Sequence, residues 1–236
     1  MAAYYSQFIG AYLHLEEFLT YRGYKTLFEA LRPPHVSDSD LNGQLTPIAV
    51  VKNISDKLGE WEILATRKNG DGKTEVAIVF LLNATGKYSK QAQDFRRLVS
   101  SSSQKVDAYG KSIGEPVIHK ETIVLVPEDV SKKQHLQAAL KELNRMPGST
   151  LYCMYPFYIF LSNIPEVPCV PKHELIPAEV GEMFLTLFFL TRQQLPRISM
   201  TDPPVVWLGG RPGDFVVVWR PSETAATMFP VLRYVS

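Results

Sequence analysis

The sequence predicts a mixed α/β protein of two domains, an N-terminal α/β domain over residues 1–162 and a small C-terminal α+β domain over residues 163–236. Three observations predict it. Apolar runs of strand length, at residues 60–67, 75–82, 122–126 and 150–161, alternate with stretches of helical periodicity. Ten of the 17 prolines lie in residues 165–236, so the texture changes near residues 162–166. The length of 236 residues suits one large domain or two of ordinary size.

Each element has a local reason. Phe8, Tyr12, Leu15 and Leu19 form a helical stripe, and Gly23 is placed to end it in the left-handed conformation that a helix C-terminus favours. Thr26-Leu27-Phe28-Glu29 fits a capping box opening a second short helix, which Pro33-Pro34 stops. Residues 35–60 are polar and turn-rich. The strands at 60–67 and 75–82 are joined by Asn69-Gly70-Asp71-Gly72, the turn chemistry of a hairpin. The second of them is apolar on both faces and is expected to be central. A helix is expected over residues 89–99, ending in a four-serine loop, with residues 104–120 irregular and lysine-bearing. A buried strand follows at 122–126. Ser131-Lys132-Lys133-Gln134 is expected to cap a helix to about Arg145, stopped by Pro147-Gly148, before a long last strand over 150–161. From residue 165 the prolines fix their own φ and restrict the residue before them, which predicts a definite shape with little regular structure.

Composition narrows the function. There are 25 basic and 24 acidic residues, and residues 155–236 hold six Lys/Arg against seven Asp/Glu, so no domain carries the broad positive charge of a stand-alone DNA-binding protein. Two cysteines, Cys153 and Cys169, with no CxxC pair, argue against a structural zinc site. Residues 1–20 lack a signal-peptide pattern, and the longest apolar stretch of helical type, residues 183–190, is far below the ~20 residues of a membrane span. An intracellular, reduced setting is expected.

Candidate chemistry is sparse. Gly72-Lys73-Thr74 and Gly110-Lys111-Ser112 mimic a phosphate loop, but the required first glycine is Arg67 in one and Lys105 in the other. Gly209-Gly210-Arg211-Pro212-Gly213 sits between two apolar runs and reads as a hairpin turn. A phosphate cradle would need a helix after it, where a strand-like run stands. The five histidines are scattered, without local triad or metal spacing. His173 reads as a residue shaping a turn or interface in preference to a general base. Asp202-Pro203 reads as the start of a turn. Arg220-Pro221-Ser222-Glu223-Thr224 fits a phosphate site, or a turn in which a hydroxyl holds the backbone and Arg220 pairs with a carboxylate. Met183-Phe184-Leu185-Thr186-Leu187-Phe188-Phe189-Leu190, placed on a helix, is apolar all round and must be covered on every side, by this chain or by another.

Five phrases occur in fixed order: Val170-Pro171-Lys172-His173, Gln194-Leu195-Pro196-Arg197-Ile198, Asp202-Pro203, Gly209-Gly210-Arg211-Pro212-Gly213-Asp214 and Arg220-Pro221-Ser222-Glu223-Thr224, with Arg233-Tyr234 closing the chain. In order and spacing they resemble the C-terminal assembly domain of the fifth common subunit of eukaryotic nuclear RNA polymerases, a family with archaeal members. Trp207 and Gly210, where cellular members have Tyr and Leu, make the wording look closest to the version of large cytoplasmic DNA viruses of the African swine fever virus type. The N-terminal likeness is thinner: a first helix ending in Arg22-Gly23-Tyr24 resembles the start of the eukaryotic jaw domain, a fold akin to restriction endonucleases.

The resemblance implies a non-catalytic subunit of a DNA-directed RNA polymerase, with no cofactor and no metal. Its assembly domain would grip the largest subunit, beside other polymerase subunits. His173, Gln194, Leu195, Pro196, Arg197, Asp202, Pro203, Arg220, Ser222, Glu223, Thr224 and Arg233 are the expected partner-binding residues. The jaw would lie by downstream DNA and touch it weakly. No membrane or small-molecule substrate is implied. A viral member would work in the host cytoplasm and virion, a cellular one in the nucleus. A nuclease is the enzyme alternative, and it needs Glu/Asp-x-Lys on a strand. Glu60-Trp61-Glu62, Glu75-Val76-Ala77 and Glu121-Thr122-Ile123 all lack that lysine. A free-standing transcription adaptor is the third reading.

Overall fold

The computed structural model describes residues 10–11, 14–26, 61–82, 91–146, 148, 150–222 and 227–236. Helix α1 (Leu15–Tyr21) ends as expected: Gly23 takes φ 78°, and the N–H groups of Gly23 and Tyr24 close on the carbonyls of Thr20 and Leu19. Strand β1 (Lys25–Thr26) pairs antiparallel with β2 (Trp61–Lys68), which pairs antiparallel with β3 (Thr74–Leu81). Asn69 fixes the turn between β2 and β3, its Oδ1 accepting from the N–H groups of Asp71 and Lys73. Thr26 belongs to β1; the rest of the expected capping box, its helix and residues 35–60 lie outside the described residues.

Strand β3 pairs parallel with β4 (Val117–Val126), and β4 pairs parallel with β5 (Leu151–Pro156). The sheet order is β1-β2-β3-β4-β5. Parallel neighbours require crossovers, here α2 (Ala92–Ile113), and then α3 (Glu128–Ser131) with α4 (Gln134–Arg145). All of β3 is buried, which its two-faced apolar character demands. On one side Ile78, Phe80, Val124 and Val126 pack under Phe95, Val99 and Val106 of α2 and Leu136 and Leu140 of α4. On the other side Arg22, just past α1, reaches Glu121 of β4, and Phe18 meets Phe160 edge to face at 4.8 Å.

Several expected boundaries move. The helix expected over 89–99 runs as α2 to Ile113, and the four serines are helical. Ser101 and Ser102 satisfy their hydroxyls on the carbonyls of Leu98 and Val99, and Ser102 continues the buried stripe of Phe95, Leu98, Val99 and Val106. Residues 104–120 are therefore helix and strand, divided by Gly114 at φ 68°. Ser131 does not cap α4: its hydroxyl bonds back to the Glu128 carbonyl, and Lys133 is the N-cap. The last strand ends at Pro156, and residues 157–160 form a 3₁₀ turn.

The chain divides into two compact units, Met1–Leu161 and Ser162–Ser236. The second contains strands β6 (Lys172–Ile176), β7 (Arg197–Ile198), β8 (Phe215–Pro221) and β9 (Met228–Val235), and helices α5 (Ala178–Leu187) and α6 (Pro203–Leu208). Its sheet order is β6-β8-β9-β7. The expectation of little regular structure is overturned. The prolines stand where regular structure tolerates them: Pro165 and Pro203 in the first turn of short helices, Pro177 at the N-cap of α5, Pro221 at the end of β8. The hairpin turn expected at residues 209–213 is likewise corrected. Residues 203–208 are helix, and Gly209 at φ 76° caps it before the chain turns into β8.

Candidate functional site

Strand register decides which phrases of the C-terminal unit meet. Directly paired residues share a face, and faces alternate along each strand. The pairs His173↔Val218, Leu175↔Val216, Arg220↔Phe229, Val218↔Val231 and Val216↔Arg233 put His173, Arg220 and Arg233 on one face. That face is covered by α6, whose Val205 packs with Val216, Val218, Ile198 and Val235. Asp202 is the N-cap of α6 and lies close to His173 and Arg233. Partial burial raises the Asp202 carboxyl above its ordinary value, against the opposing pull of those two neighbours. The ring of His173 donates from Nδ1 to the Pro171 carbonyl at 2.6 Å, because a carbonyl only accepts. The Arg233 Nη1 donates to the Arg197 carbonyl at 3.3 Å, while its buried Nε has no hydrogen-bond partner among the described residues. Arg220 is exposed at the end of β8.

The Gln194–Ile198 phrase is employed differently. Gln194 Oε1 accepts from the N–H and the hydroxyl of Thr191, closing a capping box on a 3₁₀ turn. Leu195 is buried with Phe215 and Leu185 on the opposite face of the sheet. The Pro196 carbonyl accepts from Tyr234 at 3.1 Å and starts the parallel β7–β9 ladder. Arg197 is exposed on that opposite face, paired with Tyr234. Ser222 closes the β8–β9 connection through its N–H to the Thr227 carbonyl at 2.9 Å. Glu223 and Thr224 lie outside the described residues. Of the expected binding residues, His173 and Arg233 thus lie near Asp202 and share their face with Arg220 further along β8, Gln194 and Leu195 serve the local fold, and Pro203 begins α6.

In the N-terminal unit the strand carboxylates face cations. Glu121 accepts from Arg22 at 2.6 Å, both side chains nearly fully buried. Burial works against the Arg22 charge, but Glu121 outweighs it and holds the guanidinium above its ordinary value. Glu75 is held by Arg67 at 2.8 Å and by Lys120 at 3.3 Å. Burial would raise that carboxyl, and the two cations keep it below the ordinary value. Lys120 is the extra residue of a bulge opposite Val76 and Ala77. Among the described residues no group of three or more His, Cys, Asp or Glu is placed to hold a metal ion.

One cluster does resemble a nucleophile–base pair, and sequence spacing missed it. His119 Nε2 lies 2.9 Å from Thr122 Oγ1, and Ser103 Oγ lies 3.2 Å from His119 Nδ1. Proton bookkeeping gives its direction. Ser102 must donate to the Val99 carbonyl, so Thr122, 2.9 Å away, must donate to Ser102. His119 then donates from Nε2 to Thr122, and Ser103 donates to Nδ1. Thr122 has spent its proton and is fully buried, so it does not act as a nucleophile; the chain fastens α2 to β4.

Residues 162–235 match the family profile described as RNA polymerase Rpb5, C-terminal domain. A DNA-directed RNA polymerase RPB5 homolog of African swine fever virus is 37% identical over 161 residues, 68% of this chain and 73% of that protein. The chain belongs to the RPB5 family. Two archaeal proteins named DNA-directed RNA polymerase subunit Rpo5 also match: that of Archaeoglobus fulgidus at 41% identity over 56 residues, 24% of this chain and 74% of the relative, and that of Thermococcus kodakarensis at 40% over 63 residues, 27% and 77%. The viral RPB5 match is longer than the C-terminal unit and so extends into the N-terminal one. The archaeal Rpo5 proteins are about the size of the C-terminal unit alone. The viral and archaeal names agree with the resemblance carried by the five phrases.

Proposed function

We propose that this chain is a non-catalytic structural subunit of a DNA-directed RNA polymerase. The observation that carries the reading is the RPB5 C-terminal family match over residues 162–235, nearly coextensive with the compact unit Ser162–Ser236. Nucleotide addition belongs to the large subunits, and this chain supplies none of its chemistry. Residues 163–236 form the assembly domain, which anchors on the largest subunit. The contact centres on His173, Asp202, Arg220 and Arg233, with Ser222 at its margin and with Glu223 and Thr224 as further contact residues. Exposed Arg220 and the half-satisfied Arg233 support this choice, since a partner carboxylate or carbonyl would complete both.

Residues 1–162 form the jaw, a fold akin to restriction endonucleases in which Arg22, Arg67 and Lys120 hold the strand carboxylates. The jaw lies beside downstream DNA and meets its phosphates locally and weakly. The viral RPB5 homolog supports a place in a viral transcription machinery, in the host cytoplasm and the virion.

The test is co-purification. Tagged chain lacking residues 165–236 should lose the largest polymerase subunit, and tagged chain lacking residues 1–162 should retain it in part. The reverse pattern would refute the division of labour. A cellular pool found mostly outside the polymerase on a sizing column would favour a free-standing adaptor instead.

A further inference from the structure

Strand β9 is paired along its length on one side and only at its end on the other. Toward β8 it is paired from Met228 to Tyr234, whereas β7 meets it only at Tyr234 and Val235. The direction of each peptide group follows from alternation. The N–H of Val235 bonds to the Asp214 carbonyl on the β8 side, and the N–H of Tyr234 bonds to the Pro196 carbonyl on the β7 side. Phe229, Val231 and Arg233 therefore turn their peptide groups to β8, and Met228, Pro230 and Leu232 turn theirs outward. Pro230 agrees with this assignment, since a strand proline keeps its missing N–H on the free side. Met228 and Leu232 each leave an N–H and a carbonyl, and Pro230 a carbonyl, with no backbone partner among the described residues.

An open edge is a template for another strand, and folded proteins blunt it with charges, bulges or a cover. Residues 228–232 carry no charge, and no bulge interrupts their register with β8. Met228 and Phe229 are 49% and 60% exposed. The free edge of β6 is shorter, because the same alternation leaves only His173 and Leu175 facing outward between Pro171 and Pro177. Pro230 also selects against a second copy. Two β9 edges paired antiparallel across a two-fold axis would set Pro230 opposite Pro230 and lose both bonds of that pair, whereas a different strand loses one.

Charge narrows the partner further. Strands β7, β8 and β9 hold three arginines, Arg197, Arg220 and Arg233, and no acidic residue. Arg220 stands beside Phe229, Arg233 lies further along the same face of β9, and Arg197 closes the far end of the open stretch. Arg197 and Arg220 form no ion pair among the described residues. Such an edge favours a strand that brings carboxylates. A nucleic acid would answer the arginines but not the outward N–H and carbonyl groups. We infer that the edge from Met228 to Leu232 takes an extended, acidic segment of the largest polymerase subunit as a fifth strand of the C-terminal sheet, with a carboxylate of that segment on Arg233. This rests on the polymerase reading and names the element through which the assembly domain holds its partner.

Amide hydrogen exchange reads this edge residue by residue, in the full chain alone and in the polymerase co-expressed with it from the same source. In the free chain the amides of Met228 and Leu232 should exchange fast, and those of Phe229 and Val231, bonded to β8, slowly. In the complex Met228 and Leu232 should slow by roughly tenfold or more, toward the rates of their neighbours. A contact made by side chains alone would leave the alternation of fast and slow amides in place. A photo-reactive residue in place of exposed Phe229 should crosslink to a segment of the largest subunit that bears Asp or Glu. A crosslink to nucleic acid, to another subunit or to a second copy would overturn the chosen partner. Failure of the wild-type chain to retain the largest subunit would overturn the polymerase reading itself. Retention with Met228 and Leu232 exchanging as fast as in the free chain would overturn this edge alone. Slow exchange at both in the free chain would do the same, since the edge would then already be covered.

Discussion

The direction of the Ser103–His119–Thr122–Ser102 chain makes Thr122 its weak point. Thr122 passes one proton on and accepts another, so Thr122→Val strips an acceptor from His119 and a donor from Ser102 while keeping the side-chain shape. Leaving a buried polar group unpaired costs about 1–3 kcal/mol, and urea denaturation of the variant should show a loss of that size. An unchanged midpoint would mean that the chain does not fasten α2 to β4. The same ring sets a pH dependence. Burial pushes His119 below the ordinary histidine value of 6.5, against a smaller pull from Asp107 on α2. The unfolded chain therefore binds a proton at a pH where the folded one does not, and stability rises with pH in that range. The contribution is fully present above pH 6.5 and is lost as pH falls toward the lowered folded value. Urea midpoints should drop on acidification below pH 6.5, and His119→Gln should flatten that part of the profile. A profile equally steep without His119 would assign the titration to another group.

Helix α5 owes its seat to the absence of one carbon. A β-carbon at Gly181 would fall inside the van der Waals envelope of the Phe215 ring, which is fully buried in β8. Helix propensity alone favours alanine over glycine by roughly 0.5–1 kcal/mol, so Gly181→Ala would stabilise an isolated helix. Overpacking against a rigid ring costs about 1–3 kcal/mol, and it wins because Phe215 cannot withdraw from the sheet. The variant should therefore unfold at lower urea, and a gain in stability would show that α5 does not lie on Phe215. Strands β2, β3 and β5 were legible from their apolar runs, while the two-residue β1 and the first residues of β4 were not, and α4 was legible from the Pro147-Gly148 stop after it. Helix α2 was hidden by four serines whose hydroxyls the helix itself satisfies, and α6 by the run Val205-Val206-Trp207-Leu208, whose composition favours a strand until Pro203 and Pro204 are recognised as a first helical turn. The five phrases were visible as phrases. Their division between two faces was not, because pairing of β6 with β8 and of β7 with β9 joins residues distant in sequence, and a one-residue slip would exchange the faces.

Independence of the C-terminal unit follows from how its core is made. Both faces of its sheet are covered from within, one by α6 over Val216 and Val218, the other by Leu185 of α5 and Leu195 around Phe215. Trp207, Phe215, Val205, Val206 and Val216 are fully buried, and the archaeal Rpo5 relatives are of similar size to this unit. A single core of this length supplies at most about 3–5 kcal/mol of stability, which allows cooperative folding. Residues 162–236 expressed alone should give a native-like circular dichroism spectrum and a single urea transition within that range, reported by the fluorescence of buried Trp207. The apolar stretch 183–190 sets a condition on the measurement, since exposed Met183, Leu187 and Phe189 promote association at high concentration. The transition should therefore hold its midpoint on dilution. A fragment that binds hydrophobic dyes and melts without cooperativity would show that the unit's core is incomplete on its own.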